Sequence, residues 1–324
     1  MTTLSLDNDS QPTASEQPVE QRTMRSRQGF TLVEIMAATG IMVAVILLVL
    51  GLTTNVLNTW NFSSDQLAQN YEARIALDFI NQDMEAAYFN SKGMVWMQAV
   101  YGTVGNSDDQ ARLFFFSPVT DRDSDVAGDY CAVAYATEYQ NPFNPTSTDR
   151  RRYGLYRRVV DAETTFNDVM TVPNFAAGGT LYDNYWEGNM GTGITGVFAK
   201  DNYLSANVAD FKVIFWYDDG TRNADGTKDI KAITSNEGAT GNPLAFVVAD
   251  RIYISDSGDG TSGYNDAVDG HLVYADITMT VLGDEGANMV GNDSWDDMGI
   301  TWEQFLKMYG QTFTRRVYIM SNPL

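Results

Sequence analysis

Between Ile35 and Ser64 the chain carries no charged residue, and Ile35–Leu52 (IMAATGIMVAVILLVLGL) is apolar almost throughout. Eighteen helical residues rising about 1.5 Å each cover roughly 27 Å, close to the hydrocarbon thickness of a bilayer. The run therefore reads as one membrane span, over about 33–52. Arg22, Arg25 and Arg27 stand before it, and the first cation after it is Arg74. That bias puts the N-terminus in the cytoplasm and the bulk of the chain on the other side. A secretory signal peptide is the rival reading. Signal peptides have a shorter apolar region and a small-residue cleavage site after it, whereas here Gly29 precedes the run.

Composition narrows the chemistry. The chain has 324 residues, enough for one large domain or two ordinary ones, and 44% hydrophobic residues supply a core. Lys and Arg number 21 against 42 Asp and Glu, a net charge of −21 and a pI near 4.2. Such a surface repels phosphate backbones, so nucleic acid is not an expected partner. One cysteine, Cys131, and one histidine, His271, exclude an internal disulfide and an ordinary Cys/His zinc site. They also exclude Cys–His or Ser–His catalysis that does not use His271. His271 reads as a strand-edge histidine and Cys131 as a small buried hydrophobe. There is no G-x-x-x-x-G-K-[ST] loop and no G-x-S-x-G elbow; Gly191-Thr-Gly193 lacks a third glycine and reads as a loop. The chain reads as no enzyme.

Residues 1–28 are polar and aperiodic and read as disordered. No proline falls between Pro18 and Pro118, so a helix beginning near Phe30 can continue past the membrane, over 30–93. Gly40 and Gly51 are places where it could loosen. Beyond the span, Leu67, Tyr71, Ile75 and Phe79 recur every fourth residue and are expected to cover a sheet. Leu77, Ile80, Met84 and Tyr88 form a second set, and Asn90-Ser91-Lys92-Gly93 supplies a stop. From 94 to 324 the texture is β-like. Strands are expected at Met94–Tyr101, Arg112–Ser117, Tyr130–Tyr139, Tyr153–Val160, Phe211–Tyr217, Ala245–Ser255, Val273–Leu282 and Thr314–Met320, with a short helix at Trp302–Tyr309. Strands in series without alternating helices predict an antiparallel sheet, hence an α+β fold with a long N-terminal helix packed on a β-rich head.

Glu34, at the threshold of the apolar run, does not belong in a plain anchor, because a carboxylate at that depth is costly. Its company explains it. Arg25-Ser-Arg27-Gln-Gly29-Phe30-Thr31-Leu32-Val33-Glu34 resembles the class III signal of type IV pilins and type II secretion pseudopilins. The resemblance implies a leader, 1–29, that a prepilin peptidase removes after Gly29, N-methylation of Phe30, and an assembly role for Glu34. Translation from Met24 would leave a leader of the usual short length. The new ammonium on Phe30 would be neutralised by Glu34 of a neighbouring subunit, a pair that low dielectric strengthens.

Parts of the head resemble J-type minor pseudopilins, and more closely the Verru_Chthon cassette protein C family. They are Leu155-Tyr-Arg-Arg158, Val208–Tyr217, Ala275–Val281 with Asp284-Glu285, and Arg315-Arg-Val-Tyr318. The resemblance implies a single-pass protein of the bacterial inner membrane with a periplasmic, pilin-like head. It would assemble with other pilin-like subunits, at the tip of a secretion or pilus filament. The alternative is a carbohydrate-binding or hydrolytic domain carried on a pilin-type anchor.

No cofactor is called for. Calcium is the one ligand with suitable chemistry in the sequence: Asp219, Asn223 and Asp225 in one Gly-rich loop, and Asp256 and Asp259, with Asp266 and Asp269, in another. Neither loop has full EF-hand spacing, and solvated acidic turns are the default reading.

Overall fold

The computed structural model describes residues 29–87, 95–119, 129–144, 147–170, 197–233, 245–255, 264 and 266–319. The chain divides into two compact units, Met1–Thr59 and Trp60–Leu324. One helix, α1 (Leu32–Glu85), runs from the first into the second without interruption at Gly40 or Gly51. Its 54 residues correspond to about 80 Å at 1.5 Å each. It is shorter than the expected 30–93: Ala87 N–H bonds back to the Met84 carbonyl, three residues away, which tightens the last turn. The expected stop at Asn90–Gly93 lies outside the described residues.

In the first unit every described residue is exposed, and α1 is long and apolar enough there to cross a membrane. In the second unit α1 buries Ala73, Ala76, Leu77, Ile80, Asp83 and Met84. This corrects the expected packing face. Leu67 and Tyr71 are about 70% exposed, while Ile75 and Phe79 are only half-buried. The reason is angular. Each step of four advances about 400°, so a strict i+4 series drifts roughly 40° per step around the helix. Mixed steps of three and four hold one face, which is why Leu77, Ile80 and Met84 form it.

The head is built from two antiparallel sheets. The larger has eight strands in the order β10-β9-β8-β1-β2-β3-β4-β5, and the smaller has four in the order β12-β11-β6-β7. In chain order the strands are β1 (Met97–Val104), β2 (Ser107–Ser117), β3 (Cys131–Gln140), β4 (Arg152–Val160), β5 (Tyr203–Ala206) and β6 (Val208–Arg222). They continue with β7 (Lys228–Ala232), β8 (Ala245–Val248), β9 (Ile252–Ile254), β10 (Asp266–Val268), β11 (His271–Leu282) and β12 (Gly310–Tyr318). All eight expected strand regions are present, the Ala245–Ser255 region as two strands, so the α+β class holds. Gly105-Asn106 forms a two-residue hairpin turn between β1 and β2, with Gly105 at φ +60°.

Among the described residues the head also has three α-helices: α2 (Ala162–Thr164), α3 (Asp284–Gly291) and α4 (Trp302–Tyr309). The last is the expected short helix, started by a capping box between Thr301 and Gln304. Phe305 of α4 seats with Tyr153, Leu282 and Val290 in a satellite core, while the main core takes in α1 and both sheets.

Two groups of polar side chains inside this core are bonded to one another. Asp83 of α1 meets Arg157 of β4, Nε to Oδ2 at 2.8 Å and Nη2 to Oδ1 at 3.2 Å, and accepts from the Tyr135 hydroxyl of β3. This fixes α1 on the larger sheet. Burial, with the neighbouring Asp83 carboxylate, holds the Tyr135 hydroxyl well above its ordinary pKa. Gln110 of β2 ties the two sheets together. Its amide nitrogen donates to Asp210 of β6 at 2.7 Å, and its oxygen accepts from Phe211 N–H at 2.8 Å.

Candidate processing and assembly site

The first turn of α1 brings together the residues singled out at the N-terminal signal. Gly29 and Phe30 precede the helix in open space, with Phe30 82% exposed and no atom within 4 Å of where a Gly29 β-carbon would lie. Both residues of the Gly29–Phe30 peptide are exposed.

Thr31 is the N-cap residue of α1. Glu34 N–H donates to Thr31 Oγ1 at 3.2 Å, while Thr31 N–H and Oγ1–H both donate to Glu34 Oε2, at 2.9 and 3.0 Å. This is a capping box, in which two donors that a helix start leaves orphaned are satisfied reciprocally. It gives Thr31 a role that sequence reasoning overlooked, although the signal was there: Thr-x-x-Glu directly before an apolar run. The box also changes what Glu34 has to offer. Oε2 serves its own helix.

The acidic loops are arranged differently. Asp219 lies near the end of β6, Asn223 and Asp225 lie in the turn from β6 to β7, and each serves its own local backbone. Asp219 Oδ1 accepts from Thr221 N–H and hydroxyl at 2.9 and 2.6 Å, and its Oδ2 pairs with Lys231 Nζ at 2.6 Å. Asp225 Oδ1 accepts the same pair of bonds from Thr227 at 2.9 and 2.6 Å. Asn223 Nδ2 donates to Thr227 Oγ1 at 3.1 Å. The Lys231 ammonium and the Thr221 donors hold the Asp219 carboxyl well below the usual range. Among the described residues no three His, Cys, Asp or Glu side chains gather as metal ligands would. Asp256 and Asp259 lie outside the described residues. Asp266 belongs to β10, and Asp269 pairs with Arg251 at 3.1 Å.

His271 opens β11 opposite Asp218, half-buried, and Cys131 opens β3 fully buried. Both occupy the strand-start positions their neighbours implied. Gly191 and Gly193 lie outside the described residues.

Comparison with known proteins returns no match: no family model, no curated protein and no solved structure aligns significantly with this chain.

Proposed function

We propose that the chain is a minor pseudopilin, a prepilin-like subunit that enters a type II secretion-like or type IV pilus-like filament, at its tip, through its N-terminal helix. One observation carries the reading. The string Gly29-Phe30-Thr31-Leu32-Val33-Glu34 lies open at the start of a helix whose apolar stretch is wholly exposed. An exposed apolar helix needs lipid or other helices around it. A cleavable, accessible junction directly before it suits a subunit that is held in the inner membrane and then moved into a bundle. The second half of the helix, seated on an antiparallel sheet by Asp83, suits a pilin-like head on the periplasmic side. The large head favours a tip position, since bulky heads crowd a helical shaft. The partners are then a prepilin peptidase and methylase, the inner membrane and other pilin-like subunits.

The test is the N-terminus of the membrane-purified protein. Mass spectrometry is expected to find it beginning at N-methylated Phe30. A peptide that spans Gln28-Gly29-Phe30 uncut in most of the protein overturns the reading.

A further inference from the structure

At the β5 edge of the larger sheet lies a cleft of about 750 Å³. Its walls are residues 141–144 after β3, residues 150–152 at the start of β4, Tyr203 and Ala206 of β5, and the last turn of α3 with Asn292. The size suits a ligand of two or three rings and far exceeds a single inorganic anion. Three consecutive arginines, Arg150, Arg151 and Arg152, line it and are exposed.

Three adjacent arginines concentrate positive charge here in a chain whose acids outnumber bases two to one. Elsewhere in the head Arg157, Lys228, Lys231 and Arg316 each hold a carboxylate. Arg150 and Arg151 form no ion pair among the described residues. Arg150 also sits at φ +54°, left-handed backbone that a β-branched or bulky side chain seldom adopts and that tends to persist at binding sites. Arg152 braces the cleft, its Nη2 donating to Asn288 Oδ1 at 3.3 Å.

The rest of the lining says which anion fits. Asn288 and Asn292 bring amides that both donate and accept, as hydroxyl groups require. Phe143 lines the cleft as a residue 79% exposed, with the Lys200 ammonium 5.4 Å from its ring centroid. A ring held out in water offers an apolar plane to another flat, partly apolar surface. Phosphate alone would use the guanidinium groups and leave that ring idle.

We propose that this cleft binds an acidic oligosaccharide. A uronate carboxylate is taken by the Arg150 and Arg151 guanidinium groups, a pyranose face lies against Phe143, and the hydroxyls meet Asn288 and Asn292. The proposal goes beyond filament assembly and does not depend on it, since every residue involved belongs to the head.

Calorimetry on the full chain in detergent micelles tests it, with trigalacturonate as probe and maltotriose and triglutamate as controls. Trigalacturonate is expected to bind at least tenfold more tightly than either control. Arg150→Gln with Arg151→Gln should weaken it about tenfold or more, as loss of charge-assisted bonds does. Phe143→Ala should weaken trigalacturonate about fivefold and leave triglutamate unchanged. All three positions are exposed, and thermal melts check that the variants fold. No binding of trigalacturonate, unchanged affinity in the arginine variant, or triglutamate binding as tightly as trigalacturonate each overturns the proposal.

Discussion

Glu34 caps its own helix and, on the proposed function, also partners the Phe30 ammonium, and substitution can separate the two. Glutamine fills the third position of a capping box as well as glutamate does, but carries no charge. Glu34→Gln should therefore keep the start of α1 intact and lose the partner of the Phe30 ammonium. The expected result is normal cleavage and membrane insertion with reduced recovery of other pilin-like subunits in pull-downs. Thr31→Val is the mirror case: it costs the helix start about 0.5–2 kcal/mol and leaves the charge, so partner recovery should persist. Equal recovery from both variants would show that charge has no part in assembly. The capping box of Thr31 and Glu34 was legible in principle, because its Thr-x-x-Glu string is contiguous in the sequence. A second residue-scale case concerns acid. The Asp276 carboxylate takes bonds from Arg316 at 2.7 and 2.8 Å, and these hold its pKa below the ordinary range. An unfolded aspartate titrates near 3.9, so the unfolded chain binds the proton first as pH drops. The stabilisation is complete above about pH 5 and is lost as pH falls through the lower folded value. Asp276→Asn should flatten the acid side of a stability profile measured by urea melts from pH 6 to 2. An unchanged acid slope would count against the pair.

At the scale of elements, burial decides which helical stripe matters. Ile80 is fully buried and Leu67 is exposed, so Ile80→Ala should cost about 2–5 kcal/mol and Leu67→Ala less than about 0.5 kcal/mol. Urea denaturation of the two variants checks it, and equal effects would contradict the packing face described. The tie between α1 and the sheet makes a second case. Arg157→Met leaves the Asp83 carboxylate in the core without its guanidinium, which should cost about 3–5 kcal/mol. A melt within about 1 kcal/mol of the parent would show that Tyr135 suffices. The strands that the sequence revealed are those with apolar runs, such as Phe211–Tyr217 and Val273–Leu282. Those it hid were β5, β7 and β10, of three to five residues, too short for alternation to declare itself. Helix α3 was hidden as well. It has eight residues and two glycines, and its place is set by the satellite core beneath it and not by propensity.

At the scale of the molecule, a single-sequence reading reaches what is local and stops where distant segments meet. The apolar run and the Gly29–Glu34 string are each one stretch of chain, whereas the arginine cleft joins residues from Asn141 to Asn292, and no spacing rule connects them. The buried face of α1 is non-local in the same way, because it completes a core whose other walls come from both sheets. That yields the last prediction. A chain beginning at Trp60 retains the whole second unit, including Ala73, Ala76, Leu77, Ile80 and Met84, and discards the exposed apolar run. Its charge stays strongly negative, which favours solubility. It should be soluble without detergent and melt in one cooperative step. A chain beginning at Glu85 lacks those five side chains and also the carboxylate that Arg157 and Tyr135 bond. Its core is then open on one side, so it should aggregate or melt without cooperativity. Expression of both truncations, followed by light scattering and thermal melts, decides between the two outcomes. A soluble, cooperative melt from the shorter chain would mean that the sheets close their own core and that α1 is a tether and not a wall.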